Sequence, residues 1–288
     1  MSNPAPQSVL DTVAARAHQT RTPCGDGHLV WRIWGDAASD LPAVVLLHGG
    51  FGAWNHWVRN IPALETEFRV FVPDLPGCGD SDDPPDPYDA TSLAAILSDG
   101  LDQLFAADGA SFDLVAFSFG GALSGLIAHA QADRIRSLTI VGTPILGLTT
   151  TGKANELVAV PPDMSREDAA PLYRSNLEKL MVHDPAAVDD LAMHLHIANM
   201  GKTRLRSRKI ARKFVTADSL VGLPCRLNFV FGDGDPTLHP DMAGIRDAAA
   251  ALQPDVPFHI FPDIGHWVQY EAADRFNALL PKLLSANS

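Results

Sequence analysis

The chain has 288 residues, 46% of them hydrophobic and 19% charged, enough to bury a sizeable core in one large domain or in a domain with an insertion. Its formal charge of −12 argues against nucleic acid or an anionic membrane as partner, and no apolar run approaches the length of a membrane span. Cys24, Cys78 and Cys225 are widely spaced and odd in number, which argues against a disulfide framework or a cysteine metal site; with no apolar signal segment near the start, this suits a reducing cytoplasm.

In chain order, residues 8–17 read as a short helix. Two extended stretches then flank Gly25-Asp26-Gly27, which is hairpin turn chemistry, and the alternation from Leu29 to Trp34 predicts an edge strand. Ala43-Val44-Val45-Leu46-Leu47 is a continuous apolar run of the kind buried on both faces of a parallel sheet, and His48-Gly49-Gly50-Phe51-Gly52 follows at once. A second buried strand, Val70-Phe71-Val72, leads into Pro73-Asp74-Leu75-Pro76-Gly77, too rich in Pro and Gly to be regular. Apolar residues at 93, 96, 97, 101, 104 and 105 keep helical spacing.

The next strand, 112–117, runs into Ser118, and Phe119-Gly120-Gly121 opens a helix-compatible stretch to Ala130. A serine on a sharp strand-to-helix turn has its hydroxyl lifted clear of the backbone; the usual pattern is G-x-S-x-G, from which Ala116 departs by one methyl. Small residues at 116, 120 and 121 allow the close approach of neighbouring chain that such a turn requires. Another strand follows at 135–141. Strands alternating with helical stretches predict an α/β fold with a mostly parallel, doubly wound sheet and ligands at its carboxyl edge.

From 146 to 217 that rhythm stops, giving helical pieces at 166–182, 185–198 and 203–214 and no convincing strand. The simplest reading is a helical cap inserted into a core made of residues 1–145 and 218–288. Strands resume at 227–231 and 258–261, and a helix at 272–284 closes the core.

Each of the last two strands runs into a loop with chemistry. Gly232-Asp233-Gly234-Asp235-Pro236 follows the first, and Pro262-Asp263-Ile264-Gly265-His266-Trp267 follows the second. A serine hydroxyl is a poor nucleophile at neutral pH unless an imidazole takes its proton, and the imidazole needs a carboxylate to fix its tautomer. The oxygen that gains charge needs donors: the N–H of Phe119 at the helix start and that of Gly50, with Phe51 as second choice, are the candidates.

With its order Ser, Asp, His, the chain resembles the α/β-hydrolase superfamily over nearly its whole length. The segments that carry the resemblance are His48-Gly49-Gly50, Pro73 to Gly77, the serine turn, Gly232 to Asp235, and Gly265-His266. The resemblance implies Ser118 as nucleophile, His266 as base and then acid, and Asp235 as orienting carboxylate in preference to Asp233, because the family's acid usually lies three residues past the strand-ending glycine. It implies no cofactor and no metal.

The run from Gly265 to Glu271 with Phe276-Asn277, and the first loop with Trp54, Arg59 and Asn60, are similar to the meta-cleavage-product hydrolases, which split a carbon–carbon bond in vinylogous diketones. Phe117 and His56 stand where that family carries amides that handle the dienolate. An ester or related acyl substrate, small and largely apolar, is therefore the leading expectation. Carbon–carbon hydrolysis of a keto-dienoate and a non-catalytic ligand-binding protein on a hydrolase frame are the alternatives. Acyl transfer shares the same intermediate.

Phe51, Phe117 and Trp267 are candidate substrate contacts, with Trp54 and Trp57 nearby. Residues 201–213 hold seven basic side chains, of which Arg204, Arg208 and Arg212 lie at helical spacing. Arg208 is a candidate grip for a substrate carboxylate; a solvated basic face is the other reading. His48 is read as tying loop backbone together. His194 and His196 have no partners with metal spacing, and His183 and His239 have none that the sequence names.

Overall fold

The computed structural model describes residues 4–36, 39–106, 109–147, 156–161, 163–238 and 242–285. Its centre is one eight-stranded sheet in the order β1-β2-β4-β3-β5-β6-β7-β8. The strands are β1 (His18–Cys24), β2 (Gly27–Trp34), β3 (Ala43–Leu47), β4 (Arg69–Pro73), β5 (Phe112–Phe117), β6 (Ile135–Val141), β7 (Arg226–Gly232) and β8 (Phe258–Phe261). β1 and β2 form the expected antiparallel edge hairpin, β2 pairs antiparallel with β4, and every other pairing is parallel.

The parallel strands are apolar throughout because helices cover both faces of the sheet. Along β5 the pleat sends Leu114 and Ala116 into one core and Val115 and Phe117 into the other. The first core receives α3 (Ala90–Leu104) through Leu93, Leu97 and Leu101, α4 (Phe119–Ala130) through Leu123 and Ile127, and α9 (Met242–Leu252) through Ile245 and Ala249. The second receives α1 (Pro6–Ala14) through Leu10 and Val13, the short α2 (Ile61–Leu64), and α10 (Ala273–Ser285) through Phe276 and Leu280. Trp57 is fully buried against Phe276, and Trp54 packs on Trp34, so both are core residues rather than parts of a pocket rim. Cys24, Cys78 and Cys225 are free and buried, and burial pushes their thiols up to about 11, 12 and 11.

Between β6 and β7 the described residues carry α5 (Arg166–Leu180), α6 (Asp190–Lys202), α7 (Ser207–Ala211) and α8 (Thr216–Leu220), and no strand. α8 straddles the expected boundary at 217. The helix expected over 203–214 shrinks to the five residues of α7. Arg204 and Leu205 instead donate their N–H groups to the carbonyl of Gly77, which holds the preceding residues extended, and the run of like charges adds repulsion along any longer helix. The helix expected from 185 begins only at Asp190, where the Asp189 side chain accepts the N–H of Ala192 as N-cap; Pro185–Ala187 is a single 3-10 turn. Among the described residues no helix is long and apolar enough to cross a membrane.

β3 and β5 are neighbours, yet the chain leaves β3 toward β4 on one side and β5 toward β6 on the other. The crevice at their carboxyl ends is the switch point at which ligands gather in such sheets. His48 to Phe51 and Ser118 both emerge there.

Candidate active site

Ser118 is the N-cap of α4 and sits at φ 51°, a backbone conformation that side chains other than glycine rarely adopt. The turn is tight enough that a Cβ on Gly120 would lie 2.7 Å from the carbonyl oxygen of His48, which explains glycine two residues past Ser118. On the other side of the turn Ala116 is fully buried within the sheet.

The three side chains expected to meet do so. His266 Nε2 lies 2.8 Å from Ser118 Oγ, and its Nδ1 lies 2.7 Å from Asp235 Oδ2. An ionised carboxylate only accepts, so Nδ1 carries the proton and Nε2 is left to accept from the serine hydroxyl. The second oxygen of Asp235 accepts from the N–H of Thr237 at 2.8 Å and from its hydroxyl at 2.7 Å. Asp235 is 0% exposed and Thr237 4%, so the carboxylate is held without water on either oxygen. Asp233, its competitor, is exposed and accepts the N–H of Asp263 at 2.7 Å, bracing the loop that carries the histidine.

His48 has the structural part expected of it. Nδ1–H donates to the carbonyl of Gly49 at 2.7 Å and Nε2 accepts from Leu75 N–H at 2.9 Å, joining the loop after β3 to the loop after β4. Burial lowers its pKa, so the ring is a neutral strut.

Ser118 and His266 open into a narrow cavity of about 80 Å³ between the sheet edge and the inserted helices, lined also by Gly50, Phe51, Phe117, Phe119, Met181 and Arg208. A second chamber of about 280 Å³ shares Gly50, Phe51, Met181 and Arg208 with the first and adds His56, Tyr173, Asn176 and His196. Phe119 begins α4, so its N–H has no acceptor within the helix, and Gly50 lies beside it on the pocket wall. Arg208 lines both chambers, partly buried, with its guanidinium 6.0 Å from the Phe51 ring. Burial and the neighbouring Arg212 lower its pKa.

Two expectations need correcting. Trp267 does not line either chamber: it is 1% exposed, stacks on Tyr270 with ring centroids 4.1 Å apart, and donates its indole N–H to His56 O. Arg204 does not share a helix face with Arg208; it sits in the extended segment before α7 and pairs with Asp83 at 2.5 Å. His194 and His196 also diverge, the first meeting Gln7 and the second the edge of Tyr173. His239 lies outside the described residues.

Several residues that hold the site in place have no mark in the sequence as site residues. Asp74 is buried and accepts from Arg32, Trp54 N and Asp80 N, locking the loop under the pocket. Glu271 accepts three kinds of backbone N–H: those of His183 and Asp184 from the inserted segment and that of Gly265 from the histidine loop. Asp189, the cap of α6, accepts from Arg59 at 2.5 Å and from the Tyr270 hydroxyl at 2.6 Å. Arg59, Asn60, Glu271 and Asn277, which lie in the first and histidine loops, act here as fasteners as well.

His56 and His196 face the second chamber. His56 is 5% exposed, its Nδ1 has no hydrogen-bond partner among the described residues, and burial followed by the neighbouring imidazoles holds its pKa well below the ordinary value. Burial brings His196 down from 6.5 to about 4. The unfolded chain takes up these protons near 6.5 while the folded chain does not, so stability is full above that pH and is lost as pH falls toward 4. His196→Gln should flatten this loss by on the order of 2 to 3 kcal/mol between about pH 6.5 and 4, read from urea midpoints along the pH series. An unchanged slope would refute the buried neutral state of His196.

Residues 44–279 match the alpha/beta hydrolase family. The chain belongs to that family. This α/β-hydrolase is 28% identical over 270 residues to the 2-hydroxy-6-oxononadienedioate/2-hydroxy-6-oxononatrienedioate hydrolase of Escherichia coli, an alignment covering 87% of this chain and 89% of that protein. In structure it is similar to the meta-cleavage product hydrolase CumD from Pseudomonas fluorescens, with TM-score 0.73, 21% identity, and 93% of this chain and 98% of that one covered. It is also similar to the carboxylesterase CesB of Bacillus subtilis, with TM-score 0.74, 17% identity and 98% of each chain covered. The α/β-hydrolase frame thus serves both carbon–carbon and ester chemistry among its structural neighbours, and the fold alone does not choose between them.

Proposed function

We propose that this α/β-hydrolase is a serine hydrolase that cleaves the carbon–carbon bond beside a ketone in a small, carboxylate-bearing substrate of the meta-cleavage-product kind. The observation that carries the reading is the Ser118–His266–Asp235 chain opening into a largely apolar cavity in which, among the described residues, Arg208 is the one charged lining group beside the triad. Likeness to the Escherichia coli dienedioate hydrolase supports the reaction class.

Ser118 Oγ attacks the ketone carbon as His266 Nε2 takes its proton, and Asp235 stabilises the resulting imidazolium. The oxygen that becomes negative is met by the N–H groups of Phe119 and Gly50. With the substrate in its vinylogous diketone form, the carbon–carbon bond then breaks, its electron pair passing into the conjugated second ketone as a dienolate, and His266 returns the proton to the leaving fragment. Water activated by the same imidazole releases the acid from Ser118. Arg208 grips the substrate carboxylate, Phe51 and Phe117 flank the reacting chain, and the helices between β6 and β7 act as the lid. The site takes a small molecule; the chain's charge of −12 disfavours nucleic acid and anionic membrane, and three free thiols suit a reducing cytoplasm.

Ester hydrolysis is the second reading, and two side chains favour it. Phe117 before the nucleophile is apolar, and His56 packs its ring 5.8 Å from Phe117 and 5.0 Å from Trp267, so neither supplies the amide expected beside a dienolate. A panel of keto-dienoate, lactone and aryl ester separates the two readings: carbon–carbon hydrolysis bleaches the coloured dienolate and turns over short aryl esters poorly. The reverse pattern would hand the site to the ester reading. In either case Arg208→Gln should shrink the preference for an acid over its methyl ester by about 10- to 100-fold, mostly through KM, since a charge-assisted bond contributes about 1.5–3 kcal/mol. An unaltered preference would remove Arg208 from the substrate's carboxylate.

A further inference from the structure

The basic run of the inserted segment is only partly accounted for by ion pairing and the catalytic cavity. Lys202 pairs with Asp80 and Arg204 with Asp83, while Arg208 turns inward. Arg206, Lys209, Arg212 and Lys213 are exposed and have no carboxylate partner among the described residues. These four line an open groove of about 560 Å³, and no described acidic residue lines it. The groove shares Phe51 and Arg208 with both inner chambers, so it lies directly outside them.

That arrangement opposes two general tendencies. Like charges crowded in one short segment repel, and here Arg206, Arg212 and Lys213 flank the five-residue α7 that carries Arg208 and Lys209. A protein of net charge −12 also repels anions from afar; Asp83, Asp86 and Asp89 share an adjoining surface cavity with Arg206, Lys209 and Lys213, yet every charged side chain lining the groove itself is a cation. Inward-facing Arg208 alone would suffice for one carboxylate.

We propose that the groove binds a multiply charged anionic group, phosphoryl or carboxylate, on the part of the substrate that stays outside while its reacting carbonyl passes Phe51 and Arg208 to Ser118. The inference goes beyond the reaction class and does not depend on which bond Ser118 breaks. It restricts the substrate to molecules long enough to span the rim and charged at their outer end.

The test uses the full chain carrying Ser118→Ala, titrated calorimetrically with inorganic pyrophosphate and, separately, with glutarate. At least one probe should bind, several-fold more weakly at about 200 mM than at about 20 mM NaCl. Adding Arg206→Gln, Lys209→Gln, Arg212→Gln and Lys213→Gln together should weaken it at least about tenfold. A preference for pyrophosphate marks a phosphoryl group as the natural anion, and a preference for glutarate marks a carboxylate. If the fourfold variant melts early, Lys209→Gln alone should show the same sign at about threefold. No binding of either probe to folded protein, or equal binding with and without the four cations, overturns the proposal. Failure of Ser118 to react with a fluorophosphonate in the unmutated chain would instead sink the hydrolase reading and leave these titrations unaffected.

Discussion

Ser118→Ala should lower kcat by about 10⁴- to 10⁶-fold while the melting temperature stays near that of the unmutated protein. The hydroxyl has one side-chain partner, His266 Nε2 at 2.8 Å, and its removal leaves the imidazole facing a cavity rather than an unpaired buried group. Alanine meets the same backbone demand at φ 51° that serine already meets, so the turn is not further strained. A fluorophosphonate should label Ser118 in the unmutated chain and nothing at that position in the variant. Turnover within tenfold of the original would end the nucleophile assignment; a folded protein that never labels would support a ligand-binding role on the hydrolase frame.

Asp235→Asn should cost about 10⁴-fold in kcat with little loss of fold, because it exchanges a carboxylate for an amide of equal shape. Thr237 presents N–H and O–H to one oxygen of residue 235, so that position must stay the carbonyl of the new amide. Its NH₂ then points at His266 Nδ1, which has to accept and moves its own proton to Nε2. The imidazole can no longer take the proton of Ser118. Asp233→Asn is the control, since that carboxylate is exposed and accepts the N–H of Asp263 rather than that of the imidazole. It should change kcat by less than about twofold, in line with a surface substitution. Equal losses in the two variants would contradict the assignment of Asp235.

The parallel strands were legible because each is a short apolar run bounded by glycine, proline or polar residues, and the sheet buries them on both faces. Ser118 was legible because it follows such a run directly; Asp235 and His266 lie in the loops after two more, and the preference for Asp235 over Asp233 rested on the family resemblance. The inserted helices were harder. Their ends are set by contacts from outside the segment: the Gly77 carbonyl stops α7 from starting early, a pairing that local spacing cannot show. No helix is read from the sequence over 242–252, although Ile245, Ala249 and Leu252 keep the spacing that α9 uses to cover the first core. Trp267 was read as a pocket wall because it adjoins the histidine in sequence, whereas the turn points its ring back onto Tyr270. The fasteners Asp74, Asp189 and Glu271 could not be separated by sequence from ordinary surface acids, since their partners are backbone groups or side chains far along the chain.

The grip of Glu271 limits how the enclosure can move. One carboxylate holds the backbone of residues 183 and 184 together with that of Gly265, immediately before the imidazole. Lifting that corner would drag the proton acceptor out of line, so it is the fixed end. Phe51 and Arg208 of α7 line both inner chambers and the outer groove without a tie to Glu271, so a cross-link between Phe51 and α7 should slow release of product without disturbing the alignment of the reacting atoms.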